Sequence, residues 1–317
     1  MTAPATGSTE PQIARTSWMT RWTAQIRLRH WAHFLVLPLA GVDPTASYEL
    51  AMEGVLRGVA IAFGVLAFGY LLNSLADRRL DQDPHKGSLP SGALTSQWLA
   101  VVGLGVVTTA LAAQGPPIVL GAALLCMGSG VVYSVGPRLK SLPLIGSLLN
   151  ISNFAPLLLV GLPGPDAQAP LLGPLLAAFA PLLLQNQLIH EAADAQEDRA
   201  GGVITTFGRF GPQRSAAVAA LCGLCSAMAV MWPSPTSTSS SLAVLLAILF
   251  GGWYPRQLAR RGQEPATMAA LRVQHRFAAL TGGGVAFGVR YFHYTVSTAF
   301  LLANLLWNDQ RELPGPL

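Results

Sequence analysis

Nine apolar runs dominate the sequence, at roughly 26–42, 53–75, 96–114, 117–135, 143–162, 169–190, 214–232, 240–255 and 284–307. Most approach the ~20 residues that one α-helix needs to cross the hydrocarbon core of a bilayer. Lipid offers the backbone no hydrogen-bond partner, so a helix, which satisfies its own N–H and C=O groups, is the structure such runs adopt. The expected fold is an all-α integral membrane protein, a bundle of about nine transmembrane helices. Composition agrees. Only 11% of the residues are charged, against about 25% in soluble domains. The first run is short and flanked by Arg27 and Arg29, and the last carries Arg290 and His293. Residues 1–25 are polar, begin without an apolar leader core, and read as a disordered tail. The membrane domain then spans 26–307 and a short tail 308–317.

Basic residues set the orientation, because Lys and Arg accumulate on the cytoplasmic side. With nine spans and a cytoplasmic N-terminus, the inner loops hold Arg78, Arg79, Lys86, Arg138, Lys140, Arg199, Arg209, Arg214, Arg256, Arg260, Arg261, Arg272 and Arg276. The outer loops, near 43–52, 115–116, 163–168 and 233–239, hold none. The same bias accounts for the net charge of +5 and calls for no nucleic-acid partner. Cys222 and Cys225 form a C-x-x-C inside an apolar run. There, small residues packing between membrane helices is the better reading than redox or zinc chemistry.

Two acidic stretches fall where helices should be ending, N-S-L-A-D-R-R-L-D at 73–81 and E-A-A-D-A-Q-E-D at 191–198. Carboxylates at a membrane edge are costly and need a reason. Asn73, Asp77 and Asp81 recur every fourth residue, so on a helix they share one face with a drift of about 40° per step. Glu191, Asp194 and Asp198, spaced by three and four, do the same. Each helix end would aim three oxygen-bearing side chains at one point. Mg²⁺ takes oxygen ligands, a few carboxylates together with substrate phosphates. The orientation puts both stretches on the cytoplasmic face. Ordinary helix caps pairing with Arg78, Arg79 and Arg199 are the alternative for either stretch taken alone. Lys86, Arg138 and Lys140 follow as cations suited to phosphate oxygens, or as positive-inside anchors.

The combination resembles the UbiA superfamily of intramembrane prenyltransferases. The first stretch, followed by L-P-S-G, is similar to that family's N-D-x-x-D-x-x-x-D motif. The second, followed by R-A-G-G-V-I-T-T, is similar to D-x-x-D-x-x-x-D and its D-R-x-x-G-x-x-T ending, and Y-S-V-G-P-R-L-K at 133–140 matches a third stretch. The resemblance covers residues 26–307. It implies a bundle around a central cavity with a cytoplasmic cap, Mg²⁺ between the motifs, and a prenyl diphosphate on the Mg²⁺. It implies Asn73, Asp77, Asp81, Glu191, Asp194 and Asp198 as metal ligands. Asp77, Asp81, Asp194 and Asp198 would be the catalytic carboxylates. Asn73, Lys86, Tyr133, Arg138, Lys140, His190 and Arg199 would bind the diphosphate. Two departures stand out. Ser74 replaces the first Asp of motif one, and Glu191 replaces the first Asp of motif two.

The acceptor is not encoded in these motifs. Transfer of the isoprenoid to a lipophilic acceptor, aromatic or lipid, is the leading reading. Cyclisation of the prenyl diphosphate without an acceptor is the second, and a non-catalytic isoprenoid-lipid carrier the third. His30, His33, Arg57, His190, Arg290, Tyr291, His293 and Tyr294 are polar groups in or near spans. Arg57 is a candidate for an acceptor carboxylate or a snorkelling anchor. His190 is a diphosphate contact, a base or a helix cap.

Overall fold

The computed structural model describes residues 26–41, 47–77, 94–136, 139–162, 172–231 and 237–288. Within them all regular structure is helical. A short α1 (Leu28–Trp31) runs into a 3-10 helix (Ala32–Gly41), then α2 (Tyr48–Asp77), α3 (Leu94–Ala112), α4 (Pro117–Ser134) and α5 (Ile145–Phe154). There follow α6 (Leu172–Ala193), α7 (Ala195–Ala200), α8 (Thr206–Met231), α9 (Ser237–Leu246), a π-helix (Ala247–Trp253), α10 (Tyr254–Arg261) and α11 (Pro265–Gly288). Asp81, Lys86, Arg138, both terminal tails and the group Arg290, Tyr291, His293 and Tyr294 lie outside the described residues.

Five helical segments are long and apolar enough to cross a membrane: Glu49–Asp77, Thr95–Ala112, Pro117–Ser134, Thr206–Met231 and Ser240–Arg261. Their outer faces carry bare apolar side chains. Leu56, Leu99, Leu221 and Met228 are each more than 60% exposed, as suits helices that face lipid.

The sequence-derived spans need two corrections. The first run is not one α-helix, because it tightens into 3-10 geometry around Pro38, whose ring and missing N–H break the α ladder. The last described helix starts at Pro265, inside what reads as an inner loop, and the expected span 284–307 lies outside the described residues beyond Gly288. Arg272, His275 and Arg276 make that segment look solvent-exposed in sequence, yet His275 is fully buried and Arg276 borders an internal cavity. Ionisable residues within a membrane bundle face its interior.

Besides a small cluster of Leu71, Leu72, Leu75 and Val101, the described part of the bundle has two cores. One joins Trp31, Phe34, Ile61, Val65, Ala123 and Leu157 from the first half. The other joins Leu188, Phe207, Phe250, Leu258 and Met268 from the second. Helix α6 serves both, Leu183 facing the first and Leu182 the second. It also ties the second core together with a polar side chain. A π-helix shifts the ladder and frees a carbonyl, and Gln185 Nε2 donates to Phe250 O and to Ala219 O, each at 2.6 Å. Gln185 Oε1 lies 2.7 Å from His275 Nε2. At the end of the bundle away from the acidic motifs, Arg57 donates to Leu162 O at 2.9 Å and pairs with Glu53 at 2.8 Å. Its role in the fold is to cap the 155–162 segment.

Candidate active site

The first motif lies on the last turn of α2. Asn73 and Asp77 stand one turn apart, and both meet Lys140. The Lys140 ammonium donates to Asn73 Oδ1 at 3.2 Å and forms a close ion pair with Asp77 Oδ2. Ser134 Oγ adds a 3.2 Å hydrogen bond to Asn73 Oδ1. The Lys140 backbone is seated against the start of α5, where a Cβ on Gly146 would lie 2.6 Å from Lys140 O. Only glycine fits there. Among the described residues, Asn73 and Asp77 of motif one therefore meet Ser134 and Lys140 of the Y-S-V-G-P-R-L-K stretch.

The second motif departs from its expected single face, because the chain leaves helical geometry at Asp194 (φ −93°, ψ 1°). Glu191 turns inward and is buried. Its Oε1 accepts from Ser147 Oγ at 2.9 Å and Gln187 Nε2 at 3.2 Å, and its Oε2 from the Phe207 N–H at 2.8 Å. Asp194 Oδ2 lies 3.2 Å from His190 Nδ1. Asp198 is half-buried and Arg199 exposed. The G-G that follows explains the return of the chain. Gly202 takes φ +69°, the left-handed C′ position of a Schellman motif. Val203 N–H donates to Asp198 O at 2.8 Å and Gly202 N–H to Arg199 O at 3.2 Å. The T-T then starts α8. Thr205 Oγ1 accepts from the Gly208 N–H at 3.2 Å, an N-cap bond. Thr206 Oγ1 meets Ser147 Oγ at 2.7 Å and the Leu144 N–H at 2.9 Å. Glu191 thus clamps α5, α6 and α8 together beneath the motif.

Asn73 of the first motif and His190, which precedes the second, border one internal cavity of about 200 Å³, whose lining also includes Tyr133, Asn150, Gln187 and Arg276. Asp77 from the first motif and Glu191 and Asp198 from the second all act electrostatically on Tyr133. His190 Nδ1 lies 2.6 Å from Arg272 Nη1. A guanidinium only donates, so Nδ1 accepts and the ring hydrogen sits on Nε2. Among the described residues, no three His, Cys, Asp or Glu side chains form a group close enough to hold a metal. Asp81, the third member of motif one, is outside those residues.

Sequence reasoning missed the α11 contribution, counting Arg272 and Arg276 as loop cations. The signal was present. Residues 272, 275 and 276 have the spacing of one helix face in a stretch otherwise poor in charge. The cavity amides Asn150, Asn153, Asn186 and Gln187 were also missed, being ordinary polar residues in apolar runs.

The chain is similar to known proteins over most of its length. It is 29% identical over 233 residues to a digeranylgeranylglyceryl phosphate synthase from Methanoregula boonei, a match covering 67% of this chain and 80% of that protein. Its fold is similar to that of a UbiA homolog from Archaeoglobus fulgidus bound to DMAPP and Mg²⁺ (TM-score 0.60, 20% identity, 84% of this chain and 99% of that one). It is likewise similar to a structure of digeranylgeranylglyceryl phosphate synthase (TM-score 0.70, 16% identity, 89% and 98%). The UbiA prenyltransferase family itself matches residues 35–281, which take in α2 through α10 and most of α11, so this chain belongs to the UbiA prenyltransferase family and is an integral membrane enzyme that transfers prenyl groups.

Proposed function

We propose that this enzyme ionises a prenyl diphosphate in a Mg²⁺-dependent step and passes the isoprenoid to a lipophilic acceptor, with the two motifs and the N-terminus on the cytoplasmic side. The observation that carries the reading is the meeting of Asn73, Asp77 and Lys140 beside a cavity lined by Asn73 and by His190, which adjoins the second motif. The Lys140 ammonium stands where two side-chain oxygens converge, so the oxygen array is already a cation site. Asn73, Asp77, Asp81, Asp194 and Asp198 would hold the metal. When bound, Mg²⁺ neutralises charge on the diphosphate oxygens. We assign Glu191 to holding the motif in place, since both its oxygens already serve protein donors.

The residues of the chain do the rest. Lys140, Tyr133, Arg199, His190, Lys86 and Arg138 would bind the diphosphate. A fixed donor aimed at the leaving oxygen lowers the barrier as charge develops there. The carbon–oxygen bond breaks, and its electron pair leaves on the diphosphate. Tyr70 and Tyr133 line the cavity and offer aromatic surface to the allylic cation. The acceptor's nucleophile forms the new bond and gives up a proton. Transfer fits better than cyclisation because the cavity wall is rich in amides and arginine, which suit a polar acceptor headgroup rather than a folded hydrocarbon.

The test is diphosphate release by the purified protein in nanodiscs, supplied with geranyl, farnesyl or geranylgeranyl diphosphate. Release that needs Mg²⁺ and an acceptor supports the proposal. Release without acceptor, giving a hydrocarbon or alcohol, supports cyclisation instead. No release under any condition, with Asp77→Ala and Asp194→Ala indistinguishable from wild type, defeats both.

A further inference from the structure

Beside the main cavity lies a second, much smaller one of about 20 Å³, walled mostly by apolar side chains such as Phe179, Leu182 and Leu280. Asn186 and Arg276 belong to the lining of both. Three polar atoms of residues in the small cavity's wall are buried without a hydrogen-bond partner in the protein: His33 Nε2, Asn186 Oδ1 and His275 Nδ1. They come from the 3-10 helix, α6 and α11. His33 is only 5% exposed, and His275 is fully buried. One buried polar group without a partner calls for an explanation. Three around one small space call for a common one.

The second core sets the hydrogen-bond roles. Gln185 Nε2 spends both hydrogens on Ala219 O and Phe250 O, so Gln185 Oε1 accepts from His275 Nε2. The rings of Phe250 and Tyr254 pack edge-on against that imidazole, with centroids 5.0 and 4.9 Å away. An imidazole buried among aromatic side chains is neutral, and with its hydrogen on Nε2 its Nδ1 is an acceptor. Asn186 Oδ1 is an acceptor too. Two acceptors cannot satisfy one another and need a donor between them. His33 Nε2, as an N–H, offers one hydrogen. A water molecule donates two hydrogens and accepts others, which matches two acceptors and one donor. The space fits as well. One water needs about 10–15 Å³, and a buried water typically makes about three hydrogen bonds.

We infer that the small cavity is a binding site for one water molecule, which donates to Asn186 Oδ1 and His275 Nδ1 and accepts from His33 Nε2. The water completes a chain of hydrogen bonds that runs from the π-helix through Gln185 and His275 to Asn186 in the wall of the main cavity. His33 stacks near Phe34 of the first core, with ring centroids 4.2 Å apart, whereas His275 packs on Phe250 of the second. At this point the two halves of the bundle meet through a water. With its oxygen committed there, Asn186 has only N–H donors left for the main cavity.

The test is a crystal structure of the full-length protein, grown from lipid at a resolution that shows ordered solvent, with a parallel crystal soaked in sodium bromide. The expected result is one solvent peak within about 3.2 Å of His33 Nε2, Asn186 Oδ1 and His275 Nδ1, without an anomalous bromine signal. Three outcomes overturn the inference: no density in the cavity, a bromine signal that marks an anion site, or the three side chains in direct contact. Thermal melts of His33→Phe, Asn186→Leu and the double variant give a second reading. Each single substitution should lower Tm by several degrees. The double should lose clearly less than the sum, because the first change has already released the shared water. Strictly additive losses in folded variants also overturn the inference. If a variant fails to fold, the wild-type crystal decides.

Discussion

Replacing Glu191 separates a structural clamp from a metal ligand. In Glu191→Ala, the Phe207 N–H and Gln187 Nε2 lose their acceptor in a buried site. Ser147 keeps Thr206 at 2.7 Å as a partner and is spared. Two stranded donors cost about 1–3 kcal/mol each. Part of this is offset because a carboxylate no longer has to be desolvated. The net loss is about 2–4 kcal/mol, or roughly 4–16 °C in Tm at the 2–4 °C per kcal/mol of domains this large. Glu191→Gln, which keeps the shape and one acceptor oxygen, should lose about half as much. The buried thiols Cys126 and Cys222 allow unfolding to be followed with a thiol-reactive dye on the detergent-solubilised protein. Mn²⁺ affinity, measured below the transition, should stay within threefold of wild type. A Glu191→Ala protein that melts within 2 °C of wild type but binds Mn²⁺ tenfold more weakly would refute the reasoning and make Glu191 a ligand.

Lys140→Met removes the cation now resting on Asn73 and Asp77, so Mn²⁺ alone should bind several-fold more tightly while the rate of diphosphate release falls about 100-fold, the usual scale for losing one transition-state donor. Gln185→Leu strands the Phe250 carbonyl and His275 in the second core and should destabilise by about 2–4 kcal/mol, read as a lower Tm. Arg57→Met removes the Leu162 cap and should cost about 1–2 kcal/mol with prenyl transfer retained below the transition. A large loss of activity in a fully folded Arg57→Met protein would instead give Arg57 a place in acceptor binding.

Much of this molecule is legible in its sequence, and the parts that are not share a cause. The apolar runs, the one-sided distribution of Lys and Arg and the two acidic stretches depend on residue type and local spacing, and these survive without knowledge of the partners. Asn73 and Asp77 fall on one face of α2 because a helix repeats every 3.6 residues. The same rule fails at 191–198, where the chain breaks at Asp194. That break goes with the turn through Gly202 and the start of α8 at Thr206, and no periodicity reveals that α8 returns beneath Glu191.

Sequence alone determined a helical membrane bundle and the residue types that can meet a diphosphate, since both follow from how side chains partition between lipid and water. The tertiary structure decided which of those side chains spend their hydrogen bonds on the fold. It turned Glu191 into a clamp and Arg57 into a cap, and it brought Arg276 from an apparent loop to the wall of the cavity. The physical reason is that a buried polar group must find a partner, and that partner is set by how distant helices pack.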